Sequence, residues 1–163
     1  LKVYRNLYWI SAVASQSVNS VFTSTYDNYK IFVVITGSSA DDNTLNMRLR
    51  ASGTDTTTNY NGQRMYIAGS FVQDINASGT DEWNISLLDK DQPYQTGVEI
   101  NLYSPNLAQT TAVHTFNVGA AAGASYIMGT AGRQASSTVF DGFTLLALSG
   151  TMSGVVSTFG VAK

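Results

Sequence analysis

From Tyr26 to Asp55 the chain reads YDNYKIFVVITGSSADDNTLNMRLRASGTD, and this stretch restricts the fold more than any other. Tyr29, Ile31, Val33 and Ile35 recur at every second residue, as do Leu45, Met47 and Leu49. A period of two places each set on one face of a strand. Asn46, Arg48 and Arg50 alternate with the second set, so that strand is half-buried. Phe32 and Val34 make the other face of the first strand apolar too, which predicts a strand covered on both sides. The intervening Gly37–Asn43 is turn chemistry: glycine supplies positive φ, while Asp and Asn bond their own backbone. The expectation is an antiparallel pair joined by a polar loop, in a sheet with one face on a core.

The rest of the chain repeats the theme in shorter pieces. Ser17–Phe22, Gln63–Ala68, Trp83–Leu88, Val98–Tyr103, Ala112–Val118 and Tyr126–Gly129 read as strands. Val139–Leu148 and Val155–Val161 read as a closing hairpin. In the second of these strands Met65 and Ile67 fall opposite Arg64 and Tyr66, and in the third Trp83, Ile85 and Leu87 share a face. Gly53–Gly62, Asp74–Glu82 and Asp89–Gly97 are loops by composition, and the small residues of Gly119–Ser125 read as a linker. No segment has a helical period. About eight to ten short strands punctuated by turns predict an all-β fold, an antiparallel β-sandwich of jelly-roll-like form.

A chain of 163 residues is one domain and can bury roughly 70% of its unfolded surface without metal or disulfide. The sandwich is expected over residues 17–163, with residues 1–16 as an N-terminal arm or a connection to a stalk, in which Leu1–Ile10 reads as a first strand or an extended arm. Ala12-Val13-Ala14 resembles a leader-cleavage site, but Leu7–Ile10 is too short for the apolar core of a leader. The start at Leu1 reads as a chain cut from a longer polypeptide or processed.

Composition removes several functions. There is no cysteine, which excludes disulfides, thiol catalysis and thiolate metal sites. Charged residues are 12% and the net charge is −2, so concentrated Lys and Arg for a phosphate backbone are missing and no nucleic-acid partner is expected. No run has the length of a membrane span, and no membrane insertion is expected. The surface must be covered by Ser, Thr, Asn and Gly, as on extracellular modules and virion proteins.

Catalytic motifs are missing from the sequence. His114 is the single histidine, it alternates within a strand, and no G-x-S-x-G elbow accompanies it. Asp41-Asp42, Asp81-Glu82 and Asp89/Asp91 could form a glycosidase pair only if the fold brought them together; in loops, acidic residues also serve turns. Asp41-Asp42-Asn43 and Asp89-Lys90-Asp91 lack the spacing of a calcium loop. The run from Gly119 to Gly123 lacks G-K-[ST] and does not read as a phosphate loop; its small residues allow close packing. Asn76-Ala77-Ser78 and Asn84-Ile85-Ser86 match the glycosylation pattern, which Asn-rich chains produce by chance. No catalytic residue, metal or cofactor is expected. What remains is aromatic residues in polar loops. Tyr60 lies in TNYNG and Tyr94 in DQPYQT, with Asp91 and Gln95 beside it. Rings flanked by amides and carboxylates suit a sugar, and they equally serve to pack loops down. Tyr60, Asp91, Tyr94 and Gln95 are the candidate ligand-binding residues.

The run VFTSTYDNYKIFVVITG, then MRLRASGTD and NYNG, resembles distal domains of tailed-bacteriophage tail fibres and related virion proteins. The ending DGFTLLALSGTMSGVVSTFGV resembles the way such domains finish. The likeness covers about two-thirds of the chain in pieces, and the middle, residues 71–124, matches less clearly. The resemblance implies a jelly-roll-like sandwich, assembled as a homotrimer on the virion with other virion proteins and used to attach to a bacterial cell-surface glycan or protein. No family binding residue maps onto this chain by motif. The apolar Phe143–Leu148 is then either a central strand under a loop or a strand on a three-fold axis; the second makes Phe143, Leu146 and Leu148 an oligomer interface. Capsid decoration or another virion scaffold role, a carbohydrate-binding module of a secreted bacterial protein, and a tail depolymerase are the other readings that the composition leaves open.

Overall fold

The computed structural model describes residues 5–41, 43–90, 95–121 and 124–161. Thirteen strands and no helix are found among them. The first five are β1 (Arg5–Val13), β2 (Ser15–Val18), β3 (Asn28–Ser38), β4 (Asn43–Ala51) and β5 (Thr54–Asp55). Next come β6 (Tyr60–Ala68), β7 (Phe71–Thr80), β8 (Trp83–Leu88) and β9 (Thr96–Tyr103). The chain ends with β10 (Thr111–Ala121), β11 (Ala124–Gln134), β12 (Gly142–Ala147) and β13 (Met152–Val161). They form two antiparallel sheets. The larger has the order β1-β13-β3-β9-β10-β11-β6-β7, and the smaller β2-β12-β4-β5, with β8 also paired to β4.

The expected sandwich is present, and its core lies between the sheets. Tyr29, Ile31, Val33 and Ile35 of β3 and Ile100 and Leu102 of β9 face Leu45, Met47 and Leu49 of β4 and Leu145 of β12, all buried. The period-two reading therefore chose the right residues. It chose the wrong neighbours: β3 pairs with β13 and β9, whereas β4 pairs with β12. The two strands oppose each other across the core in different sheets, and β12 and β13 do the same instead of forming a hairpin. Alternation tells which side chains point inward, and it is silent on whether the partner lies beside the strand or across from it. The two crossings brace each other. Asn43, buried, donates from Nδ2 to Ser149 O at 2.6 Å and accepts from Ser149 N–H at 2.9 Å. Ser39 N–H donates to Thr151 O at 2.9 Å.

Four further expectations change. Of the two readings of the start, residues 5–13 are the strand and not the arm: β1 pairs with β13 from Arg5↔Phe159 to Val13↔Met152, so the domain starts before residue 17. The loop expected at Asp74–Glu82 is mostly β7, joined to β6 through Gly69-Ser70, with Gly69 at φ 57° as a two-residue hairpin turn requires. Its polar composition belongs to an edge strand, which blunts the edge. The small residues expected as a linker at Gly119–Ser125 instead continue β10 and open β11, which pair up to Ala121↔Ala124. Within a single chain the outer face of β3 is not covered either, since Phe32 is 40% exposed.

The interface expected at Phe143, Leu146 and Leu148 needs correction at Phe143. Phe143 is fully buried in the core, stacked on Phe22 at 5.9 Å, and cannot reach another subunit. β12 lies between β2 and β4, which accounts for its apolar character. Its outward Thr144 is sealed by Arg50, which donates from Nη1 to Thr144 Oγ1 at 2.7 Å and pairs with Asp55. Leu146 is half-buried and Leu148 exposed, so neither belongs to the core. Arg50→Leu is expected to cost about 2 kcal/mol in urea melts, because it strands the partly buried Asp55. Adding Asp55→Leu should recover part of the loss.

Candidate ligand-binding site

At the β6–β7 end of the larger sheet, β8 crosses β6, β10 and β11 and leaves a cleft of about 150 Å³. Arg64, Thr80, Glu82, Trp83, Asn84 and Thr130 are among the residues that line it. The cleft exists because β6 sits the opposite way from its hydrophobicity. Met65 turns to solvent, and Arg64 pairs with Thr130 of β11 on the side facing β8. Trp83 is its floor. The indole lies edge-on to Tyr60, with centroids 4.9 Å apart at 89°, and its Nε1–H donates to Asn61 O at 3.3 Å. Gly132 gives it room, because a Cβ there would run into Asn61 O and come within 3.1 Å of the indole nitrogen. Thr130 Oγ1 donates to Asn84 O at 2.9 Å, which ties β8 to the larger sheet.

The polar groups here are unevenly satisfied. Glu82 accepts from Asn46 Nδ2 at 2.6 Å and pairs with Arg48 Nη2 at 2.9 Å, and Arg48 also holds Asp81 at 2.8 Å. Arg64 Nε and Asn84 Oδ1, on two residues that line the cleft, are buried and have no hydrogen-bond partner among the described residues. Each buried polar atom left unmatched costs roughly 1–3 kcal/mol. The Arg64 guanidinium and the Asn84 amide, on the lining of one cleft, are a donor and an acceptor of the kind a hydroxyl uses, accepting from the first and donating to the second. The volume is below the roughly 300–1,000 Å³ of a pocket for a drug-sized ligand, so the cleft takes one small polar unit.

No family model and no curated protein matches the chain. Among solved structures it is similar to a galectin. That protein is LEC-6 of Caenorhabditis elegans, with a TM-score of 0.38 and 11% identity over 94% of this chain and 95% of that one.

Burial raises the pKa of the Glu82 carboxyl, and Arg48 only partly opposes it; burial lowers that of the Arg64 guanidinium. The folded chain thus holds a proton on Glu82 more readily than the unfolded chain does. Between the ordinary carboxylate value of about 4.3 and the raised one, the native state binds more protons, so stability falls as pH rises. Urea melts over about pH 4 to 7 should show the wild type losing stability relative to Glu82→Gln through that window, then running parallel.

Of the residues expected to bind a ligand, Tyr60 is corrected. Its ring is fully buried behind Trp83, its hydroxyl accepts from Leu49 N–H at 2.8 Å and donates to Thr56 O at 3.1 Å, and it serves the core. Asp91 and Tyr94 lie outside the described residues. Gln95 is exposed beside Val118 and Ile127, away from the Trp83 cleft. Asp41, a calcium candidate, pairs with Lys90. His114 points outward from β10, and no cluster of three metal-binding side chains occurs among the described residues. Arg64 and Asn84 escaped the sequence reading because each looked like the solvent side of a strand. The one signal was Glu82-Trp83 at the mouth of β8, where a carboxylate and an indole adjoin a polar turn.

Proposed function

We propose that this chain is a non-enzymatic attachment domain of a phage virion protein, which holds a sugar of the bacterial surface in the Trp83 cleft. The observation that carries the reading is the cleft over the Trp83 indole, whose lining residues Arg64 and Asn84 each hold a buried polar atom with no partner among the described residues. The resemblance of Val21–Gly37 and Asp141–Val161 to tail-fibre domains supports the virion setting. Glycoside hydrolysis needs two carboxyl groups flanking the bond. Of Asp81 and Glu82 only Glu82 lines the cleft, and it is engaged by Arg48 and Asn46, which supports binding without cleavage. One small site binds weakly, and useful attachment follows from several copies on one particle, three in the assembly that the resemblance implies. Fluorescently labelled domain on a panel of bacterial strains tests this. The expected result is strain-selective staining that the strain's own extracted polysaccharide competes away, with no reducing ends released. Staining of no strain, or staining that the polysaccharide leaves unchanged, would overturn it.

A further inference from the structure

The outer face of the larger sheet carries an apolar row that crosses all eight strands. It runs from Trp9 on β1 through Val34, Val118, Ile127 and Ile67 to Val72 on β7, in register. The two intervening positions are Val155 and Gly97. Trp9 is 76% exposed and Val72 66%. The next row adds Leu7, Phe32, Phe116 and Met65, all exposed, around Glu99. At about 4.8 Å per strand the face is about 34 Å wide, and three rows make it roughly 20 Å deep. With the polar third row that is about 700 Å², near the roughly 800 Å² each partner gives to a stable interface; the two apolar rows alone make about 480 Å², the size of a monomer's largest apolar patch, which is often functional.

We propose that this face is buried against the same face of further copies of this chain. Its relief is self-complementary. Phe32 and Phe116 stand on either side of a hollow of about 240 Å³ over Gly97, and a second hollow lies over Gly129 and Ala131. A phenyl ring of one copy has a glycine hollow to enter on the next; returned by the partner, the contact closes a two-fold dimer, and passed on to a further copy it closes a three-fold ring. Charge permits it: Glu99 of the second row is paired at 2.8 Å by Lys30 of the polar third row, so two copies meet without net like charge there, and Asp74 ends the second row at the β7 edge. The polar third row, with His114 and Asn101, forms a rim.

Light scattering coupled to size exclusion tests this at about 100 μM protein, where any interface of this size is populated. The wild type is expected at two or three times 17.5 kDa, the multiple fixing the symmetry. Phe116→Lys, which places a charge in the centre of the face, should weaken association at least 100-fold and give 17.5 kDa. Gly129→Met fills a hollow where a Cβ meets nothing closer than Thr115 O at 3.5 Å, so it leaves the fold intact and should weaken association about tenfold. Circular dichroism confirms folding, and Gly129→Met decides the matter if Phe116→Lys unfolds. A monomeric wild type overturns the proposal, whether or not it binds phosphatidylglycerol vesicles. So does an oligomer that survives both substitutions. Sugar binding is read separately, so this proposal and the attachment reading can fail independently.

Discussion

Phe143→Ala is expected to destabilise the domain by about 4 kcal/mol, which for a chain of this size lowers the thermal midpoint on the order of 10 °C. The ring is completely buried and stacks on Phe22, which in turn tilts against Tyr29 at 4.7 Å. Phe22 precedes β3, Tyr29 lies on it, and Phe143 belongs to the opposite sheet, so this aromatic chain couples the two sheets. Removing its end leaves a cavity that strands fixed by hydrogen bonds on both sides cannot close. Leu148→Ala, at a side chain 66% exposed, should change stability by less than about 0.5 kcal/mol. Urea melts of the two variants check the contrast. Equal effects would mean that β12 does not face the core.

Arg64→Leu has the largest effect expected on binding, with two consequences of opposite sign. Affinity for the sugar should fall roughly 30- to 100-fold, the worth of a hydrogen bond from a charged donor. Stability should hold or rise by up to about 1 kcal/mol, because the guanidinium has a buried Nε with no partner among the described residues. Binding groups are commonly retained at such a cost. Loss of binding together with loss of stability would instead mark Arg64 as a structural residue, and calorimetric titration beside thermal melts separates the two outcomes.

The inward-facing residues were legible because burial on a strand has a period of two, and β3 and β4 obey it without interruption. Strand partnership was not legible. Pairing and facing impose the same pattern, so β3–β4 and β12–β13 read as hairpins although each crosses the sandwich. Polar edge strands hid for a related reason: β7 has the composition of a loop because one of its sides meets water. Tyr60 misled because a tyrosine among Asn and Gly looks exposed, while its hydroxyl is consumed by Leu49 and Thr56. The cleft was invisible because it depends on an inversion. Arg64 faces β8 and Met65 faces water, and an alternating strand carries no mark of which face the core will claim. Here the choice is set by Gly62 and Gly132, which pair across β6 and β11 and admit the Trp83 indole.

The most direct test of the sugar-binding cleft is a bacterial glycan array probed in parallel with the wild-type domain and with Arg64→Leu. The expected result is binding by the wild type to a restricted set of glycans that share one terminal residue, and loss of those signals in the variant at unchanged stability. No wild-type binding, or the same glycans bound equally by both proteins, would contradict a sugar site at Trp83.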